Sequence, residues 1–207
     1  MMRTRIKICG ITRPEDGIAA VDCGVDAIGL VFYPPSPRAV NLTTAQKICA
    51  VIPPFVTIVG LFVNPRPDEV VTIITNLHLD LIQFHGDESP ELCASFGYPY
   101  IKALALRNEI DLSNYARDYA TSSGLLVDTY QPGIAGGSGI VCNWDLIPEE
   151  RNFPLILAGG LNPNNIGMAI RRVRPYAVDV SSGVEVAKGI KDYTLIRNFV
   201  QAVRKLD

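Results

Sequence analysis

RIKICGIT, residues 5–12, alternates Ile6 and Ile8 with Lys7 and Cys9 and then breaks at Gly10. A period of two places alternate side chains on opposite faces of a β-strand. One face is apolar. The other carries an ammonium and a thiol, a combination that an ordinary core strand has no reason to bury. Gly10 frees the backbone to turn, and Thr12, Pro14 and Glu15 read as a helix start. A thiol therefore stands near the carboxyl end of a first strand, just before a βα turn.

The same unit recurs. Strand-like runs follow as AIGLVFY (27–33), TIVGLFV (57–63), LIQFHG (81–86), YIKALAL (100–106), GLLVDTY (124–130), LILAGG (155–160) and YAVDVSSG (176–183). Helical stretches separate most of them: Pro14 to Cys23, Thr43 to Val51, Pro67 to Leu77, Pro90 to Phe96, Leu112 to Thr121 and Asn164 to Val173, with Asp192 to Leu206 after the last. The sixth gap holds only a short candidate at Trp144 to Ile147, because Gly133 to Gly139 reads as loop. Strands alternating with helices predict a parallel α/β sheet, and eight such units suit a single-domain (β/α)8 TIM barrel over residues 1–207. An open doubly wound sheet is the rival if two of the runs are not strands.

Composition narrows the function classes. Of 207 residues, 48% are apolar and 19% charged, which excludes a disordered or fibrous chain. A net charge of −2 gives no basic footprint for nucleic acid. No apolar run reaches the roughly 20 residues of a membrane span, and Arg3, Arg5 and Lys7 interrupt any signal-peptide core. Cys9, Cys23, Cys49, Cys93 and Cys142 are odd in number and lack metal-ligand spacing, as in a reduced cytoplasmic protein.

In such barrels the active site lies at the carboxyl ends of the strands. Those ends carry Cys9, Arg38, Asn64, His85, Asp128, Gly159 with Gly160, and Ser181-Ser182-Gly183. If Leu126 and Asp128 share a face, the carboxyl group lies beside an apolar wall, keeps its proton more readily and can donate it near neutral pH. The alternative is that Asp128 caps the next loop. Cys9 is either a small hydrophobe or a nucleophile or base tuned by nearby cations. His85 follows the inward Gln83; a lone strand histidine is commonly structural, and His85 is otherwise a substrate contact. Lys7, Gln83, Lys102 and Asp179 fall on inward faces, and buried charges need partners, so a Lys7–Asp179 pair across the first and eighth strands is expected.

The glycine clusters point to an anion. AGGLNPNN follows the seventh strand and SSGVE the eighth, where barrels often present backbone N–H groups to a phosphate. Gly159, Gly160 and Gly183 allow close approach, and Ser182 adds a hydroxyl. The loop GIAGGSG, which contains Gly137, is placed to close over a ligand.

Taken in order, KICGIT, GLVFYPPSPR, VGLFVN, QFHGDE, LLVDT, GGSG, GGLNPNNI and VDVSSGVE resemble the phosphoribosylanthranilate isomerase family end to end. The resemblance implies a (β/α)8 barrel, a phosphoribosyl substrate, tryptophan biosynthesis, and neither cofactor nor metal. It implies Cys9 as general base, Asp128 as general acid and Arg38 against the anthranilate carboxylate. One departure stands out: AKGIKD, Ala187 to Asp192, replaces an expected PGKKD, which touches a loop and the next helix start. The related histidine-pathway isomerase is the nearest alternative, but it typically carries an aspartate where this chain has Cys9, and it needs a second phosphate site. A non-catalytic phosphosugar-binding barrel is the other, and it predicts loss of the acid or the base. Assembly is left as monomer or homodimer, with Pro54 and Phe55 as exposed loop apolars.

Overall fold

The computed structural model describes residues 3–106, 111–128 and 144–206. Eight parallel strands close a barrel: β1 Arg5–Cys9, β2 Ala27–Val31, β3 Thr57–Phe62, β4 Leu81–Phe84, β5 Tyr100–Ala105, β6 Leu125–Asp128, β7 Leu155–Ala158 and β8 Ala177–Val180. The first strand pairs with both β2 and β8, in register Lys7↔Ala27 and Lys7↔Asp179. That closure removes the open-sheet alternative, because an open sheet leaves two edges unpaired.

The helices are α1 Pro14–Asp22, α2 Leu42–Cys49, α3 Pro67–Asn76, α4 Pro90–Ala94, α5 Leu112–Asp118, α6 Ile166–Val173 and α7 Tyr193–Arg204. Their starts are chemically marked. Proline opens α1, α3 and α4, where its missing N–H costs nothing. Asn41, Ser89 and Asp192 accept backbone N–H groups at the heads of α2, α4 and α7. Before β7, Trp144–Leu146 forms a 3-10 turn.

Two layers of apolar contact hold the structure. Ile6, Ile8, Ile28, Leu30, Ile82, Phe84, Val178 and Val180 face outward and meet Ile48, Val70, Ile166, Ile196 and Phe199 of the helices. Each such side chain, fully buried, contributes about 1.5–3 kcal/mol. Inside the barrel, Ile101, Ala103, Leu126, Ile156, Ala158 and Ala177 form a second cluster.

The alternation corrects one expectation. Ile101 and Ala103 point inward, so Lys102 between them points outward, into the layer between barrel and helices. There its ammonium reaches Glu88 Oε2 at 3.0 Å and lies 5.8 Å from the Tyr119 ring centroid. A second finding is a small antiparallel ribbon, β9 Glu185–Ala187 with β10 Ile190–Lys191, in the stretch read from sequence as plain loop. Gly189 makes its turn at φ 79°, a backbone that side-chain-bearing residues rarely adopt. No helix among the described residues is long and apolar enough to cross a membrane.

Candidate active site

The floor of the barrel mouth is built by β1 and β8. Their direct register puts Lys7 beside Asp179, and Lys7 Nζ donates to Asp179 Oδ2 at 2.9 Å with both side chains buried. Cys9 stands one inward position above Lys7 on the same face. Room for both comes from Gly29 on β2: a Cβ there would lie 2.9 Å from Cys9 Sγ and 3.1 Å from Lys7 Nζ. Burial pushes the Cys9 thiol up, and the Lys7 charge opposes that shift. Burial works against the Lys7 ammonium too, yet Asp179 and then Cys9 hold it above its ordinary value. Lys7 is therefore a permanent cation against the thiol.

Asp128 ends β6 and shares the inward face with the buried Leu126. Its surroundings are less apolar than the sequence suggested. The side chain is 25% exposed at the open mouth, and His85 Nε2 lies 3.5 Å from Oδ2. His85 in turn has its Nδ1 3.0 Å from the amide of the fully buried Gln83. A row of polar groups thus runs from inside β4 to the end of β6. Outside the strand wall, Glu88 accepts from the backbone N–H of Asn64 and Gly86, joining the β3 and β4 exits.

The glycine corner is assembled from the exits of β7 and β8. Gly159 and Gly160 have φ of 90° and 63°, and the Gly160 carbonyl accepts from Asn165 Nδ2 at 2.9 Å. Gly183 fits for a different reason: a Cβ would sit 1.9 Å from the Leu161 carbonyl oxygen. In the turn Ser182–Val184, Val184 N–H donates to Ser181 and Glu185 N–H to Ser182. Among the described residues the N–H groups of Ser182 and Gly183 are the leftover donors at the start of that turn, a natural anion cradle. Gly137 and the rest of Gly133–Gly139 lie outside the described residues.

Arg38, from the loop after β2, lies over Gly10, whose Cβ would come 2.6 Å from Arg38 Cδ. Its guanidinium has an unforeseen partner. Nε donates to Glu185 Oε1 and Nη2 to Glu185 Oε2, both at 2.7 Å. Lys191 Nζ donates to Glu185 Oε1 at 2.7 Å and to Ser181 O and Oγ at 3.2 and 3.3 Å. Burial opposes ionisation of Glu185, but Arg38 and then Lys191 hold its carboxyl below the usual range. Sequence reasoning passed over both ribbon residues. The available signal was two short segments, EVA and IK, flanking a glycine at 189.

Cys9, Arg38, His85, Asp128, Gly159, Gly160, Ser182 and Gly183 all stand at strand exits on one end of the barrel, as their positions predicted. Comparison with known proteins bears on the family and the fold. The family model described as N-(5'-phosphoribosyl)anthranilate isomerase matches residues 6–202. The chain is 54% identical to N-(5'-phosphoribosyl)anthranilate isomerase of Pseudomonas fluorescens (strain SBW25) over 204 residues, 99% of this chain and 97% of that protein. Identity to the enzyme so named in Azotobacter vinelandii is also 54%, over 99% of both chains. Among solved structures, phosphoribosyl anthranilate isomerase from Thermotoga maritima superimposes with a TM-score of 0.90 at 42% identity, covering 98% of this chain and 99% of that one. Another, solved with reduced 1-(o-carboxyphenylamino)-1-deoxyribulose 5-phosphate, gives a TM-score of 0.81 at 39% identity, with coverage of 98% and 99%. The chain belongs to the N-(5'-phosphoribosyl)anthranilate isomerase family.

Proposed function

We propose that the chain converts N-(5'-phosphoribosyl)anthranilate to 1-(2-carboxyphenylamino)-1-deoxy-D-ribulose 5-phosphate by an Amadori rearrangement, a step of tryptophan biosynthesis. The observation that carries this reading is one mouth holding a thiol on β1, a carboxyl on β6 and a two-loop glycine corner between them in barrel order. The substrate phosphate lies over Gly160, Ser182 and Gly183, with Gly159 shaping the turn. This anchors the ribose between the two reactive strands.

Asp128, protonated, donates to the ribose ring oxygen, and the C1–O bond breaks to give an iminium. That cation acidifies the C2 hydrogen. The Cys9 thiolate takes the proton, and the C–H electrons form the enolamine double bond. The enol then loses its hydroxyl proton, C1 gains one, and the ketone forms, so the redox change is internal to the sugar. Lys7 supports the thiolate electrostatically, which matters because burial alone favours the neutral thiol. His85 lies against the Asp128 carboxyl and steers it. A reducing cytoplasmic location fits a mechanism that needs Cys9 as a thiol; Cys9 is unbridged.

The test is turnover of N-(5'-phosphoribosyl)anthranilate, followed by loss of anthranilate fluorescence, for wild type, Cys9→Ser and Asp128→Asn. Each variant should stay folded and lose about 10²–10⁴-fold in kcat. A folded wild type without turnover sinks the reading and favours a non-catalytic phosphosugar binder.

We propose a homodimer as the assembly. Phe55 stands fully exposed with φ 73° at the amino end of β3, beside Pro53 and Pro54 and away from the catalytic mouth. One Thermotoga maritima relative is described as dimeric.

A further inference from the structure

The β9–β10 ribbon is the part of the mouth to which the isomerase chemistry assigns no task. It is tied down on several sides. Thr12 Oγ1 donates to Gly189 O, and Lys191 N–H donates to the buried Asp16 at 3.1 Å. What the ribbon presents inward is Glu185, 5% exposed, and Lys191, fully buried. One carboxylate thus lies between two cations, Arg38 and Lys191, each 2.7 Å away.

Charge and geometry both matter here. The cluster sums to +1, since one carboxylate answers two cations. A buried excess charge is costly unless an anion meets it. The guanidinium has five N–H donors, and Glu185 engages only its Nε/Nη2 edge. Among the described residues Nη1 meets no acceptor, so the Nη1/Nη2 edge is left for a second carboxylate. A planar guanidinium locked along one edge cannot rotate, and its remaining edge has a fixed direction.

We propose that Glu185 and Lys191 are positioning residues: they fix the plane of Arg38, the residue that the family resemblance sets against the aryl carboxylate of the substrate. This rests on the isomerase reading for the identity of that carboxylate. Lys191 shares the charge of Glu185, so the carboxylate does not neutralise Arg38 outright. The guanidinium keeps attraction for a second anion while Glu185 fixes its plane.

A protein–ligand cycle tests this. Two probes are titrated calorimetrically: reduced 1-(o-carboxyphenylamino)-1-deoxyribulose 5-phosphate and its counterpart without the ring carboxylate. The proteins are wild type, Glu185→Gln and Lys191→Met, each checked for an unchanged circular dichroism spectrum. In wild type, removing the carboxylate should weaken binding by about 30- to 100-fold, the usual strength of a paired charged contact. In either variant the carboxylate should matter less than about fivefold, with the carboxylate-free probe bound as in wild type. Kinetically, KM should rise in the variants far more than kcat falls. Equal loss of both probes in both variants would overturn the proposal, since it would mean the ribbon only supports the mouth. So would a carboxylate preference equal to that of wild type. Wild type that binds both probes with this preference but turns over no substrate leaves the cluster standing and removes the isomerase reading instead.

Discussion

Replacing Lys7 by methionine separates the structural from the electrostatic work of the barrel floor. Lys7 and Asp179 are 6% and 7% exposed and paired at 2.9 Å, and among the described residues the second Asp179 oxygen has no hydrogen-bond partner. Taking away the ammonium leaves a buried carboxylate without its cation, a change that costs about 3–5 kcal/mol. At roughly 2–4 °C per kcal/mol for a chain of this size, Tm should fall by about 6–20 °C. The second effect falls on Cys9. Burial already pushes its thiol up and Lys7 opposes the push, so losing Lys7 moves the thiol further up. The base works only when deprotonated, so the rising limb of kcat/KM against pH must shift to higher pH. Adding Asp179→Asn to Lys7→Met removes the orphaned carboxylate and should restore most of the stability. It should restore only part of the limb, because Lys7 acts on the thiol more strongly than Asp179 does. Differential scanning calorimetry and a pH–rate profile read the two effects separately. A rising limb unmoved in the single variant would refute the claim that Lys7 supports the base.

Two further outcomes follow from local geometry. Gly183→Ala puts a Cβ 1.9 Å from the Leu161 carbonyl oxygen, so one of the two phosphate loops must move; overpacking of this kind costs about 1–3 kcal/mol. KM and the inhibition constant for inorganic phosphate should rise together, and unchanged phosphate inhibition would remove Gly183 from the anion corner. Phe55→Glu should keep the circular dichroism spectrum of wild type, with Tm lower only by the stabilisation that association supplies. Sedimentation velocity should then show two chains for wild type and one for the variant; a single-chain wild type ends the dimer proposal.

The sequence determined the order and type of the elements, because each signal was local. Alternating Ile6/Ile8 against Lys7/Cys9, prolines at 14, 67 and 90, and glycines after the strands each act within a few residues. The same alternation placed Cys9, His85 and Asp128 at strand exits, and the need of buried charges for partners anticipated the Lys7–Asp179 pair. Tertiary structure decided whatever depended on where distant segments meet. Lys102 read as inward until the β4–β5–β6 register gave that face to Ile101 and Ala103. Asp128 was expected against an apolar wall, but the open mouth and His85, 43 positions earlier in sequence, set its surroundings. The family resemblance sets Arg38 against a substrate carboxylate, and nothing in the sequence shows that its Nε/Nη2 edge is already engaged within the fold. The partner on that edge, Glu185, is 147 residues away and arrives on a ribbon whose short strands leave almost no periodicity to read. A charge pair of that separation has no local signature, because only closure of β1 on β8 brings the two loops to the same side of the mouth.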